Sequence, residues 1–110
     1  MVFKKAIMSA GEGDTKLMLK SLVPVRLLKN DFYLRVAEAE YKGARRDELI
    51  QILGKVRAKL GMFEGDLQES ELKIGQAAAL INRIRPASKI LAEIWQEFLI
   101  EKERITKLDF

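Results

Sequence analysis

Apolar residues recur every three or four positions from Phe32 to Leu99, and glycine or proline interrupts the recurrence at Gly43, Gly61, Gly65 and Pro86. A period near 3.6 marks helices with one buried face, and these interruptions limit each helix to a few turns. The chain must therefore bury several short amphipathic helices against a common core. Its 110 residues allow one domain. No apolar run approaches the roughly 18 residues of a membrane span.

The pattern predicts a mainly α domain over 1–110, with about four helices and a short extended pair near the N-terminus. Residues 1–29 hold a short helix and extended segments, and residues 30–110 form a helical bundle. Val2 to Ala10 places Phe3, Ala6 and Ile7 on one helical side, and Gly11-Glu12-Gly13-Asp14 breaks it. Thr15 to Leu19 and Leu22 to Leu28 read as a hairpin, with Pro24 confining its strand to an edge. Asn30 or Asp31 caps the next helix, whose apolar face is Phe32, Tyr33, Val36, Ala37 and Tyr41, with Gly43 as its stop. A helix from about Arg46 to Leu60 follows, with Leu49, Ile52, Leu53, Val56 and Leu60 inward and Gly61 ending it.

Glu64-Gly65-Asp66 is a turn, and Asp66 with Glu69 has capping-box spacing. That predicts a helix from about Leu67 or Ser70 to Ile84, with Ile74, Ala77, Ala78, Ile81 and Ile84 inward. Gly75 within it costs about 1 kcal/mol relative to alanine, so close helix approach beside Ala77, Ala78 and Ala79 is its expected purpose. Pro86 suits the first turn of a last helix that buries Ile90, Leu91, Ile94, Trp95, Phe98 and Leu99. Continued to Lys107, this helix spans on the order of 33 Å. Leu91, Trp95, Phe98 and Ile105 approximate a heptad seam broken at Lys102, which suggests a homodimer through that helix.

Composition removes whole classes of chemistry. The chain has no histidine and no cysteine, so it lacks the commonest general base, the commonest metal ligand and any thiolate. No disulfide forms, and the first residues lack the apolar region of a secretory signal, so the expectation is a cytoplasmic protein. The sequence predicts no catalytic residue and no metal site. The formal net charge of +4 permits an acidic partner. Arg45, Arg46, Lys55, Arg57 and Lys59 could meet phosphates, but Asp47 and Glu48 and the apolar stripe intervene, which disfavours nucleic acid.

Several stretches, in order, resemble the C-terminal region of the FMN-dependent nitronate monooxygenase (2-nitropropane dioxygenase) and enoyl-[acyl-carrier-protein] reductase family. Glu64-Gly65-Asp66 and Ile74-Gly75-Gln76-Ala77-Ala78-Ala79-Leu80-Ile81 resemble the family's E-G-D-x-x-x-G-S-x-M-x-G-Q-x-A-G-L-I. Val23-Pro24-Val25-Arg26-Leu27-Leu28-Lys29-Asn30 resembles its H-P-V-R-x-L-x-N, and Ile84-Arg85-Pro86 with Ile90-Leu91 its I-K-P-x-x-x-I-I. The resemblance implies the helical C-terminal appendage of an FMN-binding (β/α)8 barrel. The barrel itself needs about 250 residues and is absent.

The family's Gly-Ser-x-Met stands here as Ser70-Glu71-Leu72-Lys73, and its barrel histidine has no counterpart. Gln76 matches and is the one cofactor-binding residue the resemblance carries over. FMN is implied for the full-length family, and no cofactor is expected for the chain in isolation. The resulting expectation is a C-terminal helical domain that is non-catalytic alone and completes a flavin pocket with a barrel-containing chain. The alternatives are a self-associating helical interaction module and a basic nucleic-acid-binding domain. An acyl carrier protein is the acidic partner that the reductase branch implies, with Arg26, Lys29, Arg45 and Arg46 as the positions to test.

Overall fold

Two short strands organise the computed structural model, which describes residues 1–109. Strand β1, Thr15–Met18, pairs antiparallel with β2, Val25–Leu28, so that Thr15 faces Leu28 and Met18 faces Val25. Pro24 lies just outside the ladder, where its missing N–H removes no sheet hydrogen bond. Residues 72–74 flank the other side of β2: the Leu28 amide donates to the Leu72 carbonyl at 3.0 Å and the Ile74 amide to the Arg26 carbonyl at 3.2 Å. Side chains alternate across a strand, so this small sheet divides the interior in two.

Val25 and Leu27 face the larger core with Met18, Leu19, Phe32, Tyr33, Val36 and Leu49. Leu28 and Ile74 face the smaller one with Ala10 and Ala78, against Phe3 and Ile7 of α1, Val2–Ser9. The larger core is closed by α2, Asp31–Tyr41, and α3, Arg46–Leu53. Asn30 starts α2 as expected: its side-chain oxygen accepts from the Tyr33 amide at 2.8 Å. Gly43 follows α2 at φ +76°, a left-handed conformation that costs glycine nothing sterically. Tyr41 departs from the predicted face and is exposed. It lies in the last turn of α2.

The helix predicted over 46–60 breaks at Gly54, which adopts φ +62°. The Arg57 Nε caps the break by donating to the Leu53 carbonyl at 3.0 Å. A one-turn helix α4, Arg57–Lys59, then runs into a π-helical turn, Leu60–Glu64. Val56 lies between, exposed and at φ +60°, a costly conformation for a β-branched residue. Gly61 does not end a helix but sits buried inside the π turn. A Cβ there would lie 2.5 Å from Leu72 Cδ2 and from Ser70 Oγ.

The helix predicted from Leu67 or Ser70 to Ile84 does not form. Asp66 does cap, since its Oδ1 accepts from the Gln68 and Glu69 amides at 3.0 Å. The carbonyls that would continue a helix are taken by distant donors instead. Leu67 and Ser70 carbonyls accept from Asn30 Nδ2 at 2.7 and 2.8 Å, Gln68 from the Phe32 amide at 2.9 Å, and Glu69 from Arg57 at 2.7 Å. Only a 3₁₀ turn, Gln76–Leu80, survives of the predicted helix. Ile74 and Ala78 are buried as expected, whereas Ala77, Ile81 and Ile84 are exposed. Gly75 also differs from expectation: a Cβ there would meet nothing within 4 Å.

The last helix, α5, spans Ala87–Thr106, with Pro86 as its N-cap. Its predicted burial is absent: it carries no buried residue, and Leu91, Trp95 and Phe98 are 67%, 58% and 53% exposed. The helix projects from the body. The radius of gyration is consequently 18.2 Å, against the roughly 13 Å usual for a compact chain of this length.

Candidate functional site

Gln76 opens the 3₁₀ turn on the side of the sheet away from the larger core. Thr15 and Arg26 occupy that same side by strand alternation, and the Gly11–Gly13 loop joins α1 to β1 beside them. Together with Leu80 these residues line a half-open cavity of about 570 Å³, within the size range of small-molecule sites. The loop is held by the Gly11 amide donating to Asp14 Oδ2 at 2.7 Å. Arg26 is half-buried and anchored by Nη1, which donates to the Thr15 carbonyl at 3.0 Å and its hydroxyl at 3.3 Å. A guanidinium fixed by one nitrogen keeps further N–H groups to offer a ligand.

The sequence singled out Gln76 but not Arg26 as part of one cavity. The available signal was the alternation in Val25–Leu28, which sets Arg26 and Leu28 on one face. What brings Gln76 to that face is the pairing of residues 72–74 with β2, a non-local event. The cavity offers donors and one carboxylate, Glu12. Among the described residues no group of three or more histidine, cysteine, aspartate or glutamate side chains is placed to hold a metal ion.

Of residues 70–73, which stand where the resembled pattern has Gly-Ser-x-Met, the first three turn inward and Lys73 stays exposed. Ser70 and Glu71 are buried, and Lys73 pairs with Glu71 at 3.1 Å. A buried carboxylate needs such a partner to offset its lost hydration. Among the described residues, Ser70 Oγ has no hydrogen-bond partner, and it abuts Gly61.

The basic residues weighed for phosphate contact are partly committed elsewhere. Arg57 stacks 4.8 Å above the Phe32 ring and bonds to Leu53 and Glu69, and Arg46 donates to the Ser21 carbonyl at 3.4 Å. Glu69 also pairs with Arg35. Arg57 is thus a structural hub that sequence reading took for a surface cation. Glu38 has its carboxyl pushed below the ordinary range by the Lys42 ammonium, which hydrogen-bonds it at 2.6 Å and adds its charge.

No protein-family model matches the chain. No curated protein matches it either. Among solved structures, FabK from Thermotoga maritima is similar over 96% of this chain, with a TM-score of 0.83 and 28% identity. A point mutant of the same protein matches over 96% of the chain with a TM-score of 0.73 and 27% identity. These alignments cover 33% and 30% of the FabK chains, so the present chain spans about a third of the structures it matches. The whole arrangement of hairpin, irregular segment and projecting helix is therefore one that FabK also contains within a chain about three times as long.

Proposed function

We propose that this chain is the helical C-terminal part of a flavin-dependent oxidoreductase of the enoyl-[acyl-carrier-protein] reductase and nitronate monooxygenase type. It is non-catalytic alone and completes the flavin pocket of a barrel that carries the other two thirds of the fold. The observation that supports this reading most is the match of 96% of the chain to 33% of FabK. The absence of histidine agrees with a chain that leaves the proton chemistry to its partner.

The cavity beside Gln76 fits one edge of a flavin ring rather than the whole cofactor. Gln76 and Arg26 offer donors for ring carbonyls, and Leu80 offers an apolar contact. The phosphate would be held by the barrel. When bound, the flavin supplies hydride transfer, while this chain orients the ring edge and excludes water from one side.

Co-expression with the barrel segment of a FabK-type enzyme tests the reading. The complex should retain FMN, quench its fluorescence and oxidise NAD(P)H, and Gln76→Ala should weaken FMN retention several-fold. Stoichiometric FMN binding with NAD(P)H oxidation by the 110-residue chain alone would overturn it, as would a barrel segment that works equally well without this chain.

A further inference from the structure

Arg26, Arg57 and Arg85 are the partly buried arginines among the described residues. Arg57 and Arg85 each have a carboxylate to offset the hydration they lose, Glu69 at 3.6 Å for Arg57 and Glu93 for Arg85. Among the described residues Arg26 has no such partner. Its hydrogen bonds go to neutral oxygens, the Thr15 carbonyl and hydroxyl, and both are made by Nη1. Its Nε and Nη2 are left without a partner there, yet neither is sealed from solvent. The guanidinium belongs to the lining of the 570 Å³ cavity. A cation that is partly desolvated, held in place and unpaired there points to an anion from outside the chain.

The rest of the lining narrows what kind of anion fits. Ala77, Ala79 and Leu80 give the cavity an apolar wall, and Gln76 offers an amide beside them. An inorganic anion would leave that wall uncovered. A guanidinium edge matches the paired oxygens of a carboxylate, whose carbon body can cover the wall. We propose that this cavity binds a small organic carboxylate, its oxygens on Nε and Nη2 of Arg26 and its apolar body against Ala77, Ala79 and Leu80. The Thr15 bonds preset the guanidinium, so little side-chain freedom is lost on binding. Glu12, exposed in the same lining, opposes the ligand's charge and lowers its affinity. The inference stands on the unpaired Arg26 and the wall beside it. It does not rest on the flavin reading, since it concerns the chain by itself.

Titration of the 110-residue chain with benzoate, followed through its amide resonances by NMR, tests this. The Gly11, Gly13 and Gln76 amides should shift saturably with a Kd of about 1 mM, an ordinary affinity for so small a ligand. Benzamide keeps the ring and loses the charge, and should bind at least about tenfold more weakly. Acetate keeps the charge and loses the ring, with a loss of at least about tenfold. Arg26→Gln should weaken benzoate at least about tenfold, and Arg26→Lys, which keeps the charge without the fork, about threefold or more. Circular dichroism checks that each variant folds. Glu12→Gln should tighten benzoate about two- to threefold by removing a like charge, a gain that unfolding cannot produce. The proposal is overturned if no saturable shift appears at about ten times the expected Kd. It is also overturned if benzamide or inorganic phosphate binds as tightly as benzoate, if a folded Arg26→Gln binds unchanged, or if Glu12→Gln weakens binding.

Discussion

Val36 in α2 and Phe98 in α5 are both apolar residues on amphipathic helices, yet Val36 is fully buried and Phe98 is 53% exposed. The α2 stripe meets the sheet and α3, because Asn30, Gly43 and the long-range bonds of residues 67–70 hold α2 against them. Among the described residues, the α5 stripe has no buried member. Helical periodicity records that a face is to be covered, without recording by what. In the body the cover is intramolecular, and among the described residues α5 has none.

The largest expected effect that tests this contrast is in core truncation. Phe32→Ala should destabilise the chain by about 3–5 kcal/mol, the usual loss for a fully buried aromatic. Phe98→Ala, read at concentrations where the chain is monomeric, should change stability by no more than about 0.5 kcal/mol. Urea denaturation measures both, and equal losses would mean that α5 is packed after all.

A pair of glycines sharpens the contrast within the body. Gly61→Ala puts a Cβ against Leu72 and Ser70 and should cost about 1–3 kcal/mol through overpacking. Gly75→Ala meets open space at φ −79°, so it should be neutral or stabilising by about 0.4–1 kcal/mol through the unfolded state. Thermal melts of the two variants should shift in opposite directions or differ clearly in size. A large loss at Gly75 would place its environment inside the chain rather than on an open face.

The smallest effect concerns pH. Lys42 depresses the Glu38 carboxyl, by its hydrogen bond first and its charge second. A depressed carboxylate contributes stability that is present above its unfolded value and is lost as pH falls through its folded value. The pair is exposed, so the contribution is small. The urea midpoint of the parent chain should therefore drop slightly more steeply in acid than that of Glu38→Gln. A steeper acid loss in the variant would contradict the pairing.

Much of the fold was legible because its signals are local. The Gly11–Gly13 loop, the Asn30 cap and the stop at Gly43 each depend on the conformational rules of one residue, whereas the strand after Pro24, expected at an edge, is flanked on both sides by β1 and residues 72–74. The capping role of Asp66 was also local and present, but the helix expected after it was not. There the carbonyls of Leu67, Gln68, Glu69 and Ser70 bond to Asn30, Phe32 and Arg57, all at least ten residues away along the chain. No window of sequence contains that competition. Gln76 was found by resemblance, whereas Arg26 as its neighbour needed the pairing of residues 72–74 with β2.

The sequence by itself determined the helix-forming segments around α1, α2, α3 and α5, the hairpin and the lack of histidine and cysteine chemistry. These follow from residue type and short-range periodicity. Only the tertiary structure decided that Gly54 breaks a helix, that Gly61 rather than Gly75 is the tightly packed glycine, and that α5 stands clear of the body. Each of these depends on which distant group reaches a backbone carbonyl, a gap or an apolar face first, and that competition is settled in three dimensions.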